Sequence, residues 1–219
     1  MENDKLVIGY LQIRKIIGIL GIALPIILIL GNYLLGGCSY IQMSISQYYY
    51  TNIGDVFIGI LCAISIFLFS YKGYDSRDNW AGNFACIFGL AAAIFPTNMK
   101  NPVPPCNFSL DPYPFPDYFR HVHTAAAVIF FLILAYFSIF LFTKHSGIMT
   151  PQKVKRNKIY RICGYIIILC LLLLLIIFLK DSLYNSLENY KPIFILEAII
   201  LWAFGFSWLI KGEFLMADD

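Results

Sequence analysis

Charge is what this chain has least of: Asp, Glu, Lys and Arg together make up 13% of its 219 residues, while 59% are hydrophobic. A water-soluble domain carries about 25% charged residues. The apolar bulk therefore has to face lipid, or other helices within lipid. Further absences narrow the chemistry. The six cysteines form no CxxC pair or other zinc spacing. No GxSxG elbow surrounds Ser44 or Ser46, so neither reads as a nucleophile. The net charge of +3 is too small to imply a nucleic-acid partner.

What is present is a series of apolar runs. They predict an all-α, polytopic membrane helical bundle, a single domain over residues 1–219, with six transmembrane helices at about 16–35, 55–71, 80–95, 117–142, 162–179 and 192–210. The first run is too long for a signal-peptide core and lacks a small-residue cleavage site, so it reads as a retained helix. Pro25 lies in its middle, with Gly18, Gly21 and Gly31 along it for close packing. The second has the clearest flanks, with Asp55 at one mouth, Lys72 at the other and no charge between. Gly82, Ala85, Gly89 and Ala92 give the third a small-residue face. The fifth contains five consecutive leucines from Leu171 and is expected at the lipid-facing edge. Six prolines in 97–116 predict an extended surface loop. The stretch 180–191 reads as a polar loop before Pro192, which suits a first helical turn.

Charge placement orients the bundle. With six crossings, twelve Lys and Arg fall on the side of the termini and four on the other. The positive-inside rule then puts both termini in the cytoplasm and the protein in the cytoplasmic (inner) membrane as a multi-pass chain. The basic stretch 144–161 serves as topology determinant and as a contact for anionic lipid. The partners expected are membrane lipids and, for a packed bundle, a second copy of the chain in a homo-oligomer. The two three-helix halves show no tandem repeat, which argues against a transporter.

Ionisable groups at membrane depth carry a functional hypothesis by default. Asp55, Arg120, His121, His123 and Glu197 gather toward the outer leaflet. Glu197, between Leu196 and Ala198, is the deepest and must be protonated, paired or hydrated. His121 and His123 point about 200° apart on a helix, so only one lines a pocket, and His123 is the deeper. The expected ligand-binding residues are Asp55, His123, Glu197, Ser46 and Tyr49. His123, Asp55 and Glu197 would also form a donor set for zinc or another divalent metal, the one cofactor the sequence suggests. Plainer readings stand beside these. Asp55 suits a helix N-terminus, His123 an interhelical hydrogen bond, and Tyr48, Tyr49 and Tyr50 an interfacial belt. Four cysteines sit in apolar runs as small hydrophobes. Cys38 and Cys106 fall in two outward loops, where a disulfide is expected in an oxidising envelope.

The stretches SISQYYYTNIGDVFIGILCAISIFLFSYKGYD, FPT at 95–97, HTAAAVIFFLILAYFSIFLF, RNKIYRICGY and LEAIILWAFGFSWLIKGE resemble a widespread group of uncharacterised bacterial six-helix integral membrane proteins. The resemblance covers most of residues 44–213 and implies a fold. More loosely, the plan is similar to DRAM-type membrane proteins and to the superfamily of alkaline ceramidases and progestin/adiponectin-type receptors. Those hydrolases hold zinc with a serine, an aspartate and three histidines; here Ser46, Asp55 and His123 would correspond, with Glu197 in place of a C-terminal histidine pair.

Three functions follow as expectations. The first is a membrane protein whose outward polar pocket binds a lipid headgroup, small amphiphile or ion. The second is a metal-dependent hydrolase of a lipid amide or ester. The third is an oligomeric channel or membrane-disrupting effector lined by Glu197.

Overall fold

The computed structural model describes residues 2–71, 76–98, 105–106, 116, 118–145, 147 and 149–216, with side chains from 9 onward and from 78 in the third helix. Lys72, Asp75, Asp117, most of the proline loop and the Arg120 side chain lie outside the described residues. Among the described residues the chain is mostly helical, with no strand. Seven α-helices follow one another: α1 Glu2–Leu34, α2 Gly54–Phe69, α3 Ser76–Ile94, α4 Tyr118–Tyr136, α5 Pro151–Leu179, α6 Asp181–Leu187 and α7 Pro192–Lys211. Four apolar stretches are long enough to cross a membrane, at Gly9–Leu34, His121–Leu141, Pro151–Leu179 and Pro192–Lys211. The apolar α2 is shorter, at 16 residues.

Helix α1 begins at Glu2, well ahead of the expected 16, and two further boundaries differ. Helix α5 begins eleven residues before the expected 162, because Thr150 caps it through Lys153 N–H at 3.1 Å and Pro151 occupies the first turn. The basic stretch is therefore helical from Pro151. The stretch 180–191 forms α6 and then a 3-10 turn, Glu188–Tyr190. Near its end α4 widens into a π-turn, Phe137–Leu141, where Phe142 N–H bonds Phe137 O at 2.9 Å.

The helices close a ring in which α1 packs on α2, α2 on α3, α3 on α4, α4 on α5, α5 on α7 and α7 on α1. Helix α7 is the most enclosed, 67% buried against 33–39% for the other three long apolar stretches. Its approach to α1 is governed by Gly18 and Gly205. A Cβ on Gly205 would lie 2.6 Å from Gly18 O, and one on Gly18 would lie 2.8 Å from Gly205 O, so alanine at either forces the helices apart. Trp202 Nε1–H adds a bond to Ile22 O at 3.1 Å.

One end of the ring is filled by rings of another kind. Tyr71, Phe137, Phe142, Tyr160 and Trp208 are all buried. Tyr71 meets Phe137 edge-on at 4.9 Å between centroids, and Phe142 meets Trp208 edge-on at 5.0 Å. Cations close over this end: Arg14 donates to Lys211 O at 3.4 Å, Lys153 to Phe142 O at 2.8 Å and Arg156 to Met216 O at 3.2 Å. Lys144 pairs with the buried Asp78.

Candidate functional site

The opposite end is organised by the segment between α1 and α2. Residues 38–53, without Lys or Arg, fold into the mouth of the bundle and bury Gln42, Ser44, Gln47, Tyr48, Tyr50 and Thr51. An irregular segment away from water has to satisfy its backbone. Part of this is local: Met43 N–H donates to Gln47 Oε1 and Gln47 N–H to Ser44 Oγ, both at 3.2 Å. The rest comes from α7. Phe194 N–H, a first-turn donor with no carbonyl behind it, bonds Met43 O at 3.0 Å. Ile45 N–H donates to Glu197 Oε2 at 2.6 Å. Glu197 thus holds the segment by a bond across 152 residues of sequence.

Two more ties fix the segment. Cys38 and Cys106 form a disulfide with Cα atoms 6.1 Å apart, and beside it Gln42 Nε2–H donates to Pro105 O at 3.3 Å. Lys191 donates from Nζ to the Tyr40 hydroxyl at 2.6 Å and lies 4.3 Å over that ring. Burial pushes the Tyr48 phenol up to about 12, so it stays neutral at any working pH.

His123, buried in the second turn of α4, meets the end of α3. Its Nδ1 lies 2.8 Å from Phe95 O. A carbonyl only accepts, so Nδ1 carries the proton, and the neutral ring keeps its acceptor lone pair on Nε2.

Beside His123 and Glu197 lies a cavity of ≈ 700 Å³. Its polar end is formed by Ser44, Ser46, Gln47, Thr97, His123 and Glu197, and its long wall by apolar side chains of α4 and α5, Phe131, Leu132, Leu171, Leu175 and Phe178 among them. The lining comes from positions 123–132 of α4 and 168–178 of α5. Beyond it Gly164 of α5 packs closely against Ile139 and the Ala135 carbonyl. Leu132, Leu172, Leu175 and Phe178 are exposed, so the cleft is open along its side. Behind it a recess of ≈ 40 Å³ is again lined by Ser46, His123 and Glu197, with Ile45 at its edge.

No family model, curated protein or solved structure matches this chain. The site therefore has to be read from its own geometry.

Of the five expected binding residues, Ser46, His123 and Glu197 come together around the cavity and Asp55 and Tyr49 do not. Asp55 is exposed. The buried face of α2 is set by Phe57, Leu61, Ile64 and Leu68, and a residue two positions before Phe57 points about 200° away from it. The proposed His123, Asp55 and Glu197 metal set is accordingly not assembled. Among the described residues no three His, Cys, Asp or Glu side chains group as metal ligands. The interfacial belt of tyrosines is also corrected. Tyr48 and Tyr50 are buried in the 3-10 turn Ser46–Tyr50, Tyr48 near Phe194 and Tyr50 donating to Thr97 O at 2.6 Å. Tyr49 is half-buried and stacks edge-on against Tyr50. His121 is exposed, on the other face from His123.

Several lining residues were missed by sequence reasoning, notably Gln47, Thr97, Thr124, Asp181 and Tyr184. Asp181 and Tyr184 carried a usable signal. They sit three apart, at helical spacing, in a stretch whose Leu183, Tyr184 and Leu187 repeat on one helical face.

Proposed function

We propose that this is a multi-pass protein of the cytoplasmic membrane that takes an amphiphile from the bilayer into the cleft between α4 and α5. Helices α2 and α3 join the four longer apolar helices to complete six crossings. The excess of Lys and Arg on the side of the termini supports termini in the cytoplasm and a cleft in the outer leaflet. The observation that carries the reading is the division of the cavity. Hydrogen-bonding groups cluster at one end, an apolar wall runs along two helices, and the side is open where acyl chains would lie. A volume of ≈ 700 Å³ is within the range of small-molecule sites, roughly 300–1,000 Å³. The polar end takes the head, and the α4–α5 wall takes the chain.

Native mass spectrometry of protein released from mild detergent tests this. The wild type should retain a lipid-sized adduct, and Ala127→Trp, which fills the cleft from its α4 wall, should lose it. A wild type without adduct, or an Ala127→Trp protein that keeps it equally, overturns the reading.

A further inference from the structure

Resting on that reading, we infer that the head of the bound amphiphile is a cationic amine. The first support is charge. Two carboxylates line the cleft, Glu197 beside the polar end and Asp181 from the first turn of α6, and among the described lining residues there is no Lys or Arg. Phosphate recognition relies on Arg, Lys or a set of converging N–H donors. The nearby Lys191 is turned away from that task, its ammonium held by the Tyr40 hydroxyl and lying over the Tyr40 ring. A phosphate in the cleft would meet the Asp181 side chain, and like-charge juxtaposition is unfavourable.

The second support is hydrogen-bond polarity. Phe95 O fixes the proton of His123 on Nδ1, which leaves Nε2 as an acceptor. Gln47 already spends its Oε1 on Met43 N–H. Glu197 receives Ile45 N–H on Oε2 and also meets the Ser46 N–H, and the two oxygens of its carboxyl group keep acceptor capacity beyond these bonds. Ser46 Oγ, which lines both the cleft and the recess, lies 3.2 Å from Ser44 Oγ and, donating to it, keeps its lone pairs for a ligand. An ammonium offers three donors and no acceptor. Glu197, His123 and Ser46 match it in number and in polarity. Asp181 supplies a further negative charge.

The test uses three probes with the same twelve-carbon chain: dodecylamine, monolaurin and dodecyl phosphate. Each is titrated by native mass spectrometry against the full chain in lipid nanodiscs, as wild type, Asp181→Asn and Ala127→Trp. Asp181 is exposed, so its substitution leaves the fold in place. Dodecylamine should bind the wild type at least about tenfold tighter than dodecyl phosphate. Asp181→Asn should weaken the amine about fivefold, more than it weakens monolaurin, and Ala127→Trp should weaken all three. If dodecyl phosphate or monolaurin binds as tightly as the amine and remains sensitive to Ala127→Trp, the head assignment fails while the cleft still binds amphiphiles. If binding of every probe is indifferent to Ala127→Trp, the cleft reading fails and takes the head assignment with it.

Discussion

The two ends of this bundle solve the same problem, how to close a ring of helices, with different material. At the end of Trp208 the space is filled by side chains. Five buried aromatic rings interlock edge to face, and cations reach the last carbonyls. At the end of Glu197 the space is filled by backbone. An irregular segment enters, and its amides are met by a carboxylate, an amide side chain and a hydroxyl. Interlocked rings fill volume with side-chain atoms. A folded-in loop satisfies its polar groups without tiling the volume, and the cleft lies beside it. On the proposed function, stability and recognition are thus separated along the helix axes.

The sharpest way to break that separation is at the aromatic end. Trp208→Ala removes the central ring of the cluster and should cost about 3–5 kcal/mol, read as a lowered thermal midpoint. The folded fraction should bind amphiphile as the wild type does. Weakened binding in that fraction would mean the two ends are coupled. At the other end, Glu197→Ala strips Ile45 N–H of its acceptor and should cost about 1–3 kcal/mol. Hydrogen exchange at residues 43–47 should rise, with the aromatic end unchanged, and Glu197→Gln, which keeps an acceptor, should lose less. Uniform exchange across the chain would contradict the local anchoring role. Between the ends, Ser138 and Ser207 join α4 to α7 through hydroxyls 3.0 Å apart. A double-mutant cycle of Ser138→Ala and Ser207→Ala should return a coupling of about 0.6 kcal/mol. A much larger value would make this bond, and not the rings, the fastening of α4 to α7.

What the sequence disclosed follows the same division. Apolar runs long enough for helices are a property of composition, and they were visible without partners. The need of Glu197 for a partner was equally visible, because a carboxylate flanked by Leu196 and Ala198 cannot stand alone. Its identity was not, since a backbone N–H leaves no trace in residue type. For the same reason 38–53 read as an outward loop: nothing local distinguishes a solvated hydroxyl from one that bonds an inserted main chain. Asp55 differs in kind: its phase relative to Phe57, Leu61 and Ile64 is legible in the sequence and turns it from the buried face of α2. The early start of α5 was readable too, from Thr150 and Pro151, under a charge density that suggested a loop.

The π-turn at Phe137–Leu141 bears on how this chain would align with relatives. A π-turn holds one residue more than the α-helical path it replaces, and by absorbing that residue it keeps the helix on either side in phase. The segment after the bulge includes Phe142, which closes the aromatic cluster, while His123 and the cleft wall lie before it. A homologue without the bulge would be one residue shorter between His123 and Lys144. It would keep both the cleft and the place of Phe142, whereas a one-residue loss elsewhere in α4 would turn the two about 100° apart. A single-residue gap at the bulge, with the position of Trp208 unchanged, is the mark that descent should leave.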